Sequence, residues 1–167
     1  MRSPVSLLLS IAVLALCAIL LPSLPLAAGE GAISDAMKSA ATSGQAPAGL
    51  VVVYDDMHGF HGGTTIEIAA DGKASRRDVN RGQESQTTIA LSADQMRELL
   101  LMLVQIEAWN QHTAERTMVP DESQAKLELR LGDEKAGFWE FFNEMEENKR
   151  LSTLKKRLDE LIPAAAP

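Results

Sequence analysis

Cysteine is almost absent from this 167-residue chain: the single cysteine, Cys17, lies in an apolar stretch near the N-terminus. Once that stretch is removed no cysteine remains, so the protein cannot be a disulfide-stabilised scaffold and must be held together by its hydrophobic core. The same absence excludes catalysis by a cysteine–histidine pair.

Catalytic motifs are also missing. The sequence has no Gly-x-Ser-x-Gly, no His-Glu-x-x-His and no glycine-rich phosphate-binding loop. Glu140 and Glu144 are two nearby carboxylates, but nothing in the surrounding sequence would raise the pKa of only one of them, as acid–base catalysis requires. We therefore predict that the protein is not an enzyme and that it uses no cofactor.

Positive charge is scarce as well. The chain has 16 Lys and Arg against 23 Asp and Glu, a net charge of −7, and its bases form no patch. Such a chain is a poor nucleic-acid binder and is repelled by anionic membrane surfaces. We expect a protein partner, with no nucleic acid and no membrane contact once the N-terminal segment is removed.

The N-terminus has the pattern of a secretory signal peptide. Arg2 precedes an apolar run over residues 7–21, and the small residues Ala27 and Ala28 follow. We expect cleavage after Ala28, so that residues 1–28 are a signal peptide and the protein is exported, to the periplasm or outside the cell. An uncleaved anchor is the alternative, which Pro22 and Pro25 disfavour because they would break the helix.

The rest of the chain divides into two parts. Residues 29–49 are rich in Gly, Ala and Ser, so we expect a flexible leader with at most one or two turns of helix. Residues 50–163 are expected to form a single domain, since their length supports one core.

Hydrophobic periodicity within residues 50–163 predicts strands and helices. Residues 50–54, 64–70 and 125–131 have strand patterns, and Asp71-Gly72 predicts a two-residue turn that would place Glu67 opposite Arg76. Two helices are predicted from spaced apolar residues, the first with a capping box at Ser92 and Gln95, the second with leucines at 151, 154, 158 and 161. The order is three strands, a helix, two strands and a helix. We predict an α+β fold with an antiparallel sheet of about five strands and two helices on one face.

The stretch "HGFHGG" at residues 58–63 is the first candidate site. His58 and His61, with Asp55 and Asp56 nearby, are ligand types that suit zinc, and His112 could complete the set if its loop folds back. The competing interpretation is a glycine-rich turn between two strands, with Phe60 anchored in the core and both histidines available to a partner. We favour the turn, and we assign no metal ligand.

The aromatic stretch "GFWEFF" at residues 137–142 is the second candidate. Strand alternation places Phe138 and Phe142 on one face and Trp139 and Phe141 on the other. One face is expected to pack against the helices; the other is either covered by the leader or a loop, or exposes aromatic rings as a binding surface. The candidate protein-binding residues are therefore His58, Phe60, His61, Phe138 and Phe142.

Four stretches give the chain a resemblance to a known family. "HGFHGG", "LSADQMRELLLML", "VPDESQAKLELRL" and "LSTLKKRLDEL" resemble segments of emfourin-like domains, which are protein inhibitors of thermolysin-like metalloproteases. The likeness covers most of residues 50–162; Gly59 and Phe60 match the family's turn and His58 departs from it. The "ADGK" hairpin also resembles that of uncharacterised exported bacterial domains.

The resemblance implies a non-enzymatic binding domain. We therefore expect an exported, non-catalytic protein-binding domain whose partner is unknown, with an exported metalloprotease as the partner that the resemblance implies. The alternative is a periplasmic divalent-metal-binding protein that uses the turn with His58 and His61.

Overall fold

A computed structural model describes residues 28–59, 61–111, 122–145 and 149–165. The predicted signal peptide, except for Ala28, and the candidate residues Phe60 and His112 lie outside these ranges. The elements are α1 (Ala28–Ser43), β1 (Leu50–Asp55), β2 (Gly62–Ala69), β3 (Lys73–Asn80), β4 (Gln83–Ala90), α2 (Ala93–Gln105), β5 (Gln124–Leu131), β6 (Glu134–Phe141), the 3-10 helix η1 (Phe142–Glu144) and α3 (Lys149–Leu161).

The six strands form one antiparallel sheet in the order β4-β3-β2-β1-β5-β6. Alternate residues of the central strands, such as Val52, Ile66 and Leu127, are buried in one core with residues of all three helices. The other face, called the outer face below, includes Val53, Glu67 and Lys126. The α+β class with an antiparallel sheet is confirmed, but the sheet has one strand more than expected and there is a third helix.

Helix α1 replaces most of the flexible leader that we expected over residues 29–49. Ile33, Met37 and Ala40 recur at helical spacing and are buried, where they pack in the core with the sheet and α2. The segment looked like a linker because Ala, Gly and Ser dominate it. Ile33 and Met37, two large apolar side chains on one face of the helix, nevertheless pack α1 into the core.

The added strand is β4, which pairs with β3 along its full length. Its sequence is mostly polar and alternates between exposed and half-buried residues, as an edge strand does. The turn before it has two residues, Arg81 and Gly82, with φ of 51° and 78°. Positive φ at both positions is the geometry of the tight hairpin turn, although Arg-Gly is a weaker signal than Asn-Gly.

The β2–β3 hairpin differs from its predicted register by one residue. Ala69 and Lys73 flank a three-residue loop in which Gly72 takes the left-handed conformation, and its N–H donates to the Ala69 carbonyl at 3.0 Å. Glu67 therefore lies opposite Ser75 rather than Arg76, and Arg76 lies opposite Ile66. Because a slip of one residue exchanges the faces of a strand, Arg76 points into the molecule.

Two polar contacts fix the helices. Ser92 and Gln95 form the predicted capping box: the Ser92 N–H donates to Gln95 Oε1 at 2.8 Å and the Gln95 N–H to Ser92 Oγ at 3.3 Å. At the other end of α2, Arg150 of α3 donates to the carbonyls of Ile106, Glu107 and Asn110. Within the described residues, no helix is long and apolar enough to span a membrane.

Candidate functional site

The turn between β1 and β2 is held by backbone hydrogen bonds. The His58 and Gly62 backbones exchange N–H···O bonds of 2.7 and 2.9 Å, which closes the loop over residues 59–61. Below it, Asp56 is buried and accepts hydrogen bonds from the Tyr54 hydroxyl at 2.9 Å and the Thr64 N–H at 2.5 Å. The turn is therefore anchored to the core through the Asp56 carboxylate.

Two glycines in this turn cannot be replaced without moving the backbone. Gly62 has φ of 83°, and a Cβ there would lie 1.8 Å from the Val79 carbonyl oxygen. Gly63 has φ of 150°, and a Cβ there would lie 2.5 Å from the Asp56 carbonyl oxygen. Gly62 and Gly63 thus allow the start of β2 to lie close to the backbones of Val79 and Asp56. Tight backbone geometry is the role that the sequence predicts for glycines in such a turn.

The two histidines meet on this turn. Their ring centroids are 4.9 Å apart with an interplanar angle of 35°. His61 is exposed and His58 is half-buried, and both line a depression of about 520 Å³. We call this depression the turn pocket; the other side chains that line it are Asp56, Thr64, Glu122, Ser123 and Phe142.

Phe142 also lines the turn pocket. Strand β6 ends at Phe141, and Phe142 begins η1, so its ring leaves the sheet while its N–H still donates to the Ser123 carbonyl at 3.0 Å. The residue is 51% exposed; together with Leu101 of α2 it is one of two large hydrophobic residues that are exposed in the described part of the chain. A second depression, of about 660 Å³, shares Asp56 and Phe142 and extends along α3 past Lys155 and Lys156.

A chain of polar contacts runs beneath the turn pocket to α3. Thr64 Oγ1 donates to Asp78 at 2.8 Å, and Arg76 Nε donates to both oxygens of Asp78 at 2.8 and 3.0 Å. Arg76 Nη1 then donates to Asp159 at 2.7 Å and to the Ile162 carbonyl at 2.9 Å. Arg76, which the predicted register had placed on the polar side of an edge strand, is thus the link between sheet and α3.

Burial and the neighbouring carboxylate of Asp56 raise the pKa of Tyr54, so its hydroxyl stays protonated and donates. Burial alone would raise the pKa of Asp78, but the hydrogen bonds from Arg76 and Thr64 outweigh it and lower that pKa. At neutral pH the Tyr54 hydroxyl is therefore protonated and Asp78 is ionised, which are the states in which their hydrogen bonds beneath the turn pocket form.

The residues that the metal-binding alternative would use do not converge in the described part of the chain. Asp55 accepts a hydrogen bond from the Met57 N–H at 2.9 Å, and Asp56 is bonded as above. Among the described residues no three His, Cys, Asp or Glu side chains are grouped closely enough to hold a metal ion. His112 lies outside those residues.

The aromatic residues of β6 separate as strand alternation predicts, up to the end of the strand. Phe138 is 3% exposed and packs in the core, with the Arg150 guanidinium 3.9 Å from its ring centroid. On the outer face, Trp139 and the buried Phe141 make an edge-to-face contact at 5.0 Å. Phe138 is therefore not at the surface, and Phe142 does not share its face because it follows the strand.

Glu140 corrects our expectation that neither nearby carboxylate would have a raised pKa. It is 4% exposed beside Phe138, and among the described residues neither of its oxygens has a hydrogen-bond partner at bonding distance. Burial raises the pKa of Glu140 to about 7, although the Leu151 N–H and the Arg150 charge oppose the shift. Its burial could not be read from the sequence, because alternation gives the face of a strand and not what covers that face.

No family model matches the chain, and a search of curated proteins finds no significant match. The turn pocket therefore has to be interpreted from its own geometry.

Proposed function

We propose that this protein is an exported, non-catalytic protein-binding domain, and that the turn pocket is its docking site. The observation that carries the proposal is the half-exposed ring of Phe142, which lines the same depression as His58 and His61. Aromatic side chains that stay exposed on a rigid frame are enriched at interfaces. Export is part of the proposal because residues 1–28 have the pattern of a signal peptide.

Rigidity of the turn supports docking. His58 and His61 lie on a turn that is closed by two backbone hydrogen bonds and anchored through Asp56. Because the turn is already ordered, ordering it on binding would cost little free energy. The pocket combines one apolar ring with imidazole, hydroxyl and carboxylate groups. That mixture suits a protein surface that offers one apolar side chain surrounded by polar groups.

The emfourin resemblance makes a metalloprotease the first partner to test. The mature chain should be titrated against a thermolysin-like protease, and separately used to capture partners from its own exported proteome. If inhibition is absent at micromolar concentration and no captured protein depends on Phe142, the proposal is wrong.

Matched variants locate the docking site. Phe142→Ala should weaken partner binding by at least about tenfold, as hot-spot aromatic residues do. Leu101→Ala is the control because Leu101 is 47% exposed on α2 and lines neither the turn pocket nor the depression along α3. Equal loss of binding in both variants would show that the site is not at Phe142.

The alternative function, divalent-metal binding, draws support from the proximity of the two imidazole rings. Zinc titration of the wild type and of a His58→Ala, His61→Ala double variant tests it. Tight zinc binding that the double variant loses would favour the metal-binding alternative, whereas identical weak binding by both would reject it.

A further inference from the structure

Strand β6 is one edge of the sheet, so alternate residues turn their backbone N–H and C=O away from β5. The Phe142 N–H donates to the Ser123 carbonyl, which makes the even-numbered residues of β6 the ones that bond to β5. The outward backbone groups within the strand therefore belong to Lys135, Gly137, Trp139 and Phe141.

At Trp139 the outward backbone groups are already hydrogen-bonded, to the side-chain amide of Gln111. The Gln111 amide accepts from the Trp139 N–H at 3.0 Å and donates to the Trp139 carbonyl at 3.3 Å. A neighbouring strand would make the same two bonds at this position. The described residues provide no corresponding bonds for Lys135 and Gly137, the next outward positions along the edge.

The outer face next to this edge is shaped to receive side chains. A groove of about 330 Å³ lies there, with Trp139 as a wall and Gly137 adding no side chain to it. A Cβ at Gly137 would lie 2.0 Å from the Leu127 carbonyl oxygen, so that position has to stay without a side chain.

The charged residues that line the groove carry one net positive charge, in a chain whose net charge is −7. Lys126, Arg130 and Lys135 line it, against Asp55 and Glu128. Glu128 is shared between Arg130 and, at 3.7 Å, Lys135, and Asp55 bonds to the backbone of its own turn. Lys126, beside Trp139 in the strand register, adds a third positive charge.

We propose that the β6 edge is a strand-addition site for an extended acidic peptide segment of a partner protein. The peptide would pair with the outward backbone groups of Lys135 and Gly137 and would displace Gln111 to continue along Trp139. Its carboxylates would face the groove beside Lys126 and Lys135. Main-chain bonds supply affinity in this mode and the alternate side chains supply specificity. The inference concerns a different surface from the turn pocket and does not depend on docking there.

The probe is a capped peptide of alternating valine and glutamate, compared with the same peptide carrying lysine in place of glutamate. Addition of the acidic peptide to the isotope-labelled mature chain should shift the amide resonances of Lys135, Gly137 and Trp139 and slow their hydrogen exchange. The lysine peptide should bind at least about tenfold more weakly. No protection of these amides at millimolar acidic peptide, or equal binding of both peptides, would overturn the proposal.

A proline variant then tests the backbone contribution. Lys135→Pro removes an outward N–H and leaves the β5 hydrogen bonds intact, which edge strands tolerate. It should weaken acidic-peptide binding at least about tenfold, whereas Lys135→Ala, which keeps the N–H, should weaken it only a few-fold. Gln86→Pro, at an outward position of the other edge strand β4, is the matched control and should bind as the wild type does. If Lys135→Pro folds and binds as tightly as Lys135→Ala, the site is not a strand-addition edge; if it does not fold, the amide-protection result decides.

Discussion

Arg76 and Arg77 are consecutive in the sequence and lie on opposite faces of β3. Arg76 is 7% exposed and bonds to Asp78, Asp159 and the Ile162 carbonyl, which join sheet and α3. Arg77 is on the outer face, where it forms a two-bond ion pair with Glu84. The two residues make a natural comparison because their side chains are identical and their surroundings are not.

We predict that Arg76→Met lowers the free energy of unfolding by about 3 kcal/mol, because it leaves the half-buried Asp78 without its cation. Arg77→Met should have little measurable effect, since exposed ion pairs contribute little. Urea denaturation of both variants checks this. A double variant, Arg76→Met with Asp78→Asn, should recover part of the loss; no recovery would mean that the loss comes from packing and not from the unpaired charge.

At this scale the position of the β2–β3 turn was predicted correctly, but its length and the register of the hairpin were not. Asp71-Gly72 does form the turn, but a two-residue and a three-residue loop share that dipeptide. The difference of one residue decides whether Arg76 is buried, and in the observed register Arg76 bonds to Asp159 and Ile162, more than 80 positions away. A local pattern cannot contain that information.

At the scale of elements, α1 shows that a segment of small residues can be part of the core. Met37 is fully buried, whereas Ser39 of the same helix is exposed. Met37→Ala should therefore lower the free energy of unfolding by about 2–4 kcal/mol, the usual loss for a buried large-to-small substitution. Ser39→Ala should be neutral within about 0.5 kcal/mol. If thermal unfolding of Met37→Ala matches the wild type, residues 28–43 behave as the flexible leader that the composition suggested.

The turn that carries the histidines should depend on Gly62 far more than on Gly59. Gly62→Ala should lower the free energy of unfolding by at least about 2 kcal/mol, because the methyl group would meet the Val79 carbonyl and the residue has positive φ. Gly59→Ala, where nothing lies within 4 Å of the added Cβ, should change it by less than about 0.5 kcal/mol. Chemical denaturation of the two variants measures the contrast, and equal effects would contradict the described turn geometry.

The elements that could be predicted are those whose own side chains determine them. Strand β5 alternates cleanly in sequence and in burial, and the Ser92 capping box marks the start of α2. Strand β4 was missed because its polar residues form an exposed edge, and edge strands owe their conformation to the neighbouring strand. Part of the turn pocket could be predicted, because His58 and His61 were candidate residues and both line it. Phe142 lines it because β6 ends at Phe141, so that Phe142 no longer follows the alternation of the strand.

Considered as a whole, the molecule places its two proposed binding surfaces on different parts of the sheet. The turn pocket lies at the β1–β2 turn beside η1 and is supported by the Arg76 contacts with α3. The β6 edge borders the outer face and consists of the outward backbone groups of Lys135, Gly137 and Trp139. Variants at one surface should therefore leave the other intact, so the two proposals can succeed or fail separately.

Stability of the whole molecule should depend on pH in two opposite ways. The lowered pKa of Asp78 gives stability that is present above the pKa of the unfolded chain and is lost as the solution is acidified. The raised pKa of Glu140 acts in the other direction: its contribution is complete below the unfolded value of 4.5 and is lost as pH rises through about 7. We therefore expect the free energy of unfolding to be highest in mildly acidic solution.

The Glu140→Gln variant isolates the second effect, because glutamine has no charge at any pH. At about 1.4 kcal/mol per pKa unit, and allowing for solvent screening, the wild type should lose roughly 2 kcal/mol relative to this variant between pH 4.5 and pH 8. Glu67→Gln, on the exposed outer face, is the control and should follow the wild-type profile. Arg150 and the Leu151 N–H face Glu140 and favour its charged form, so Arg150→Met should steepen the loss. Parallel pH profiles for the wild type and Glu140→Gln would mean that this carboxyl is solvated in the folded protein.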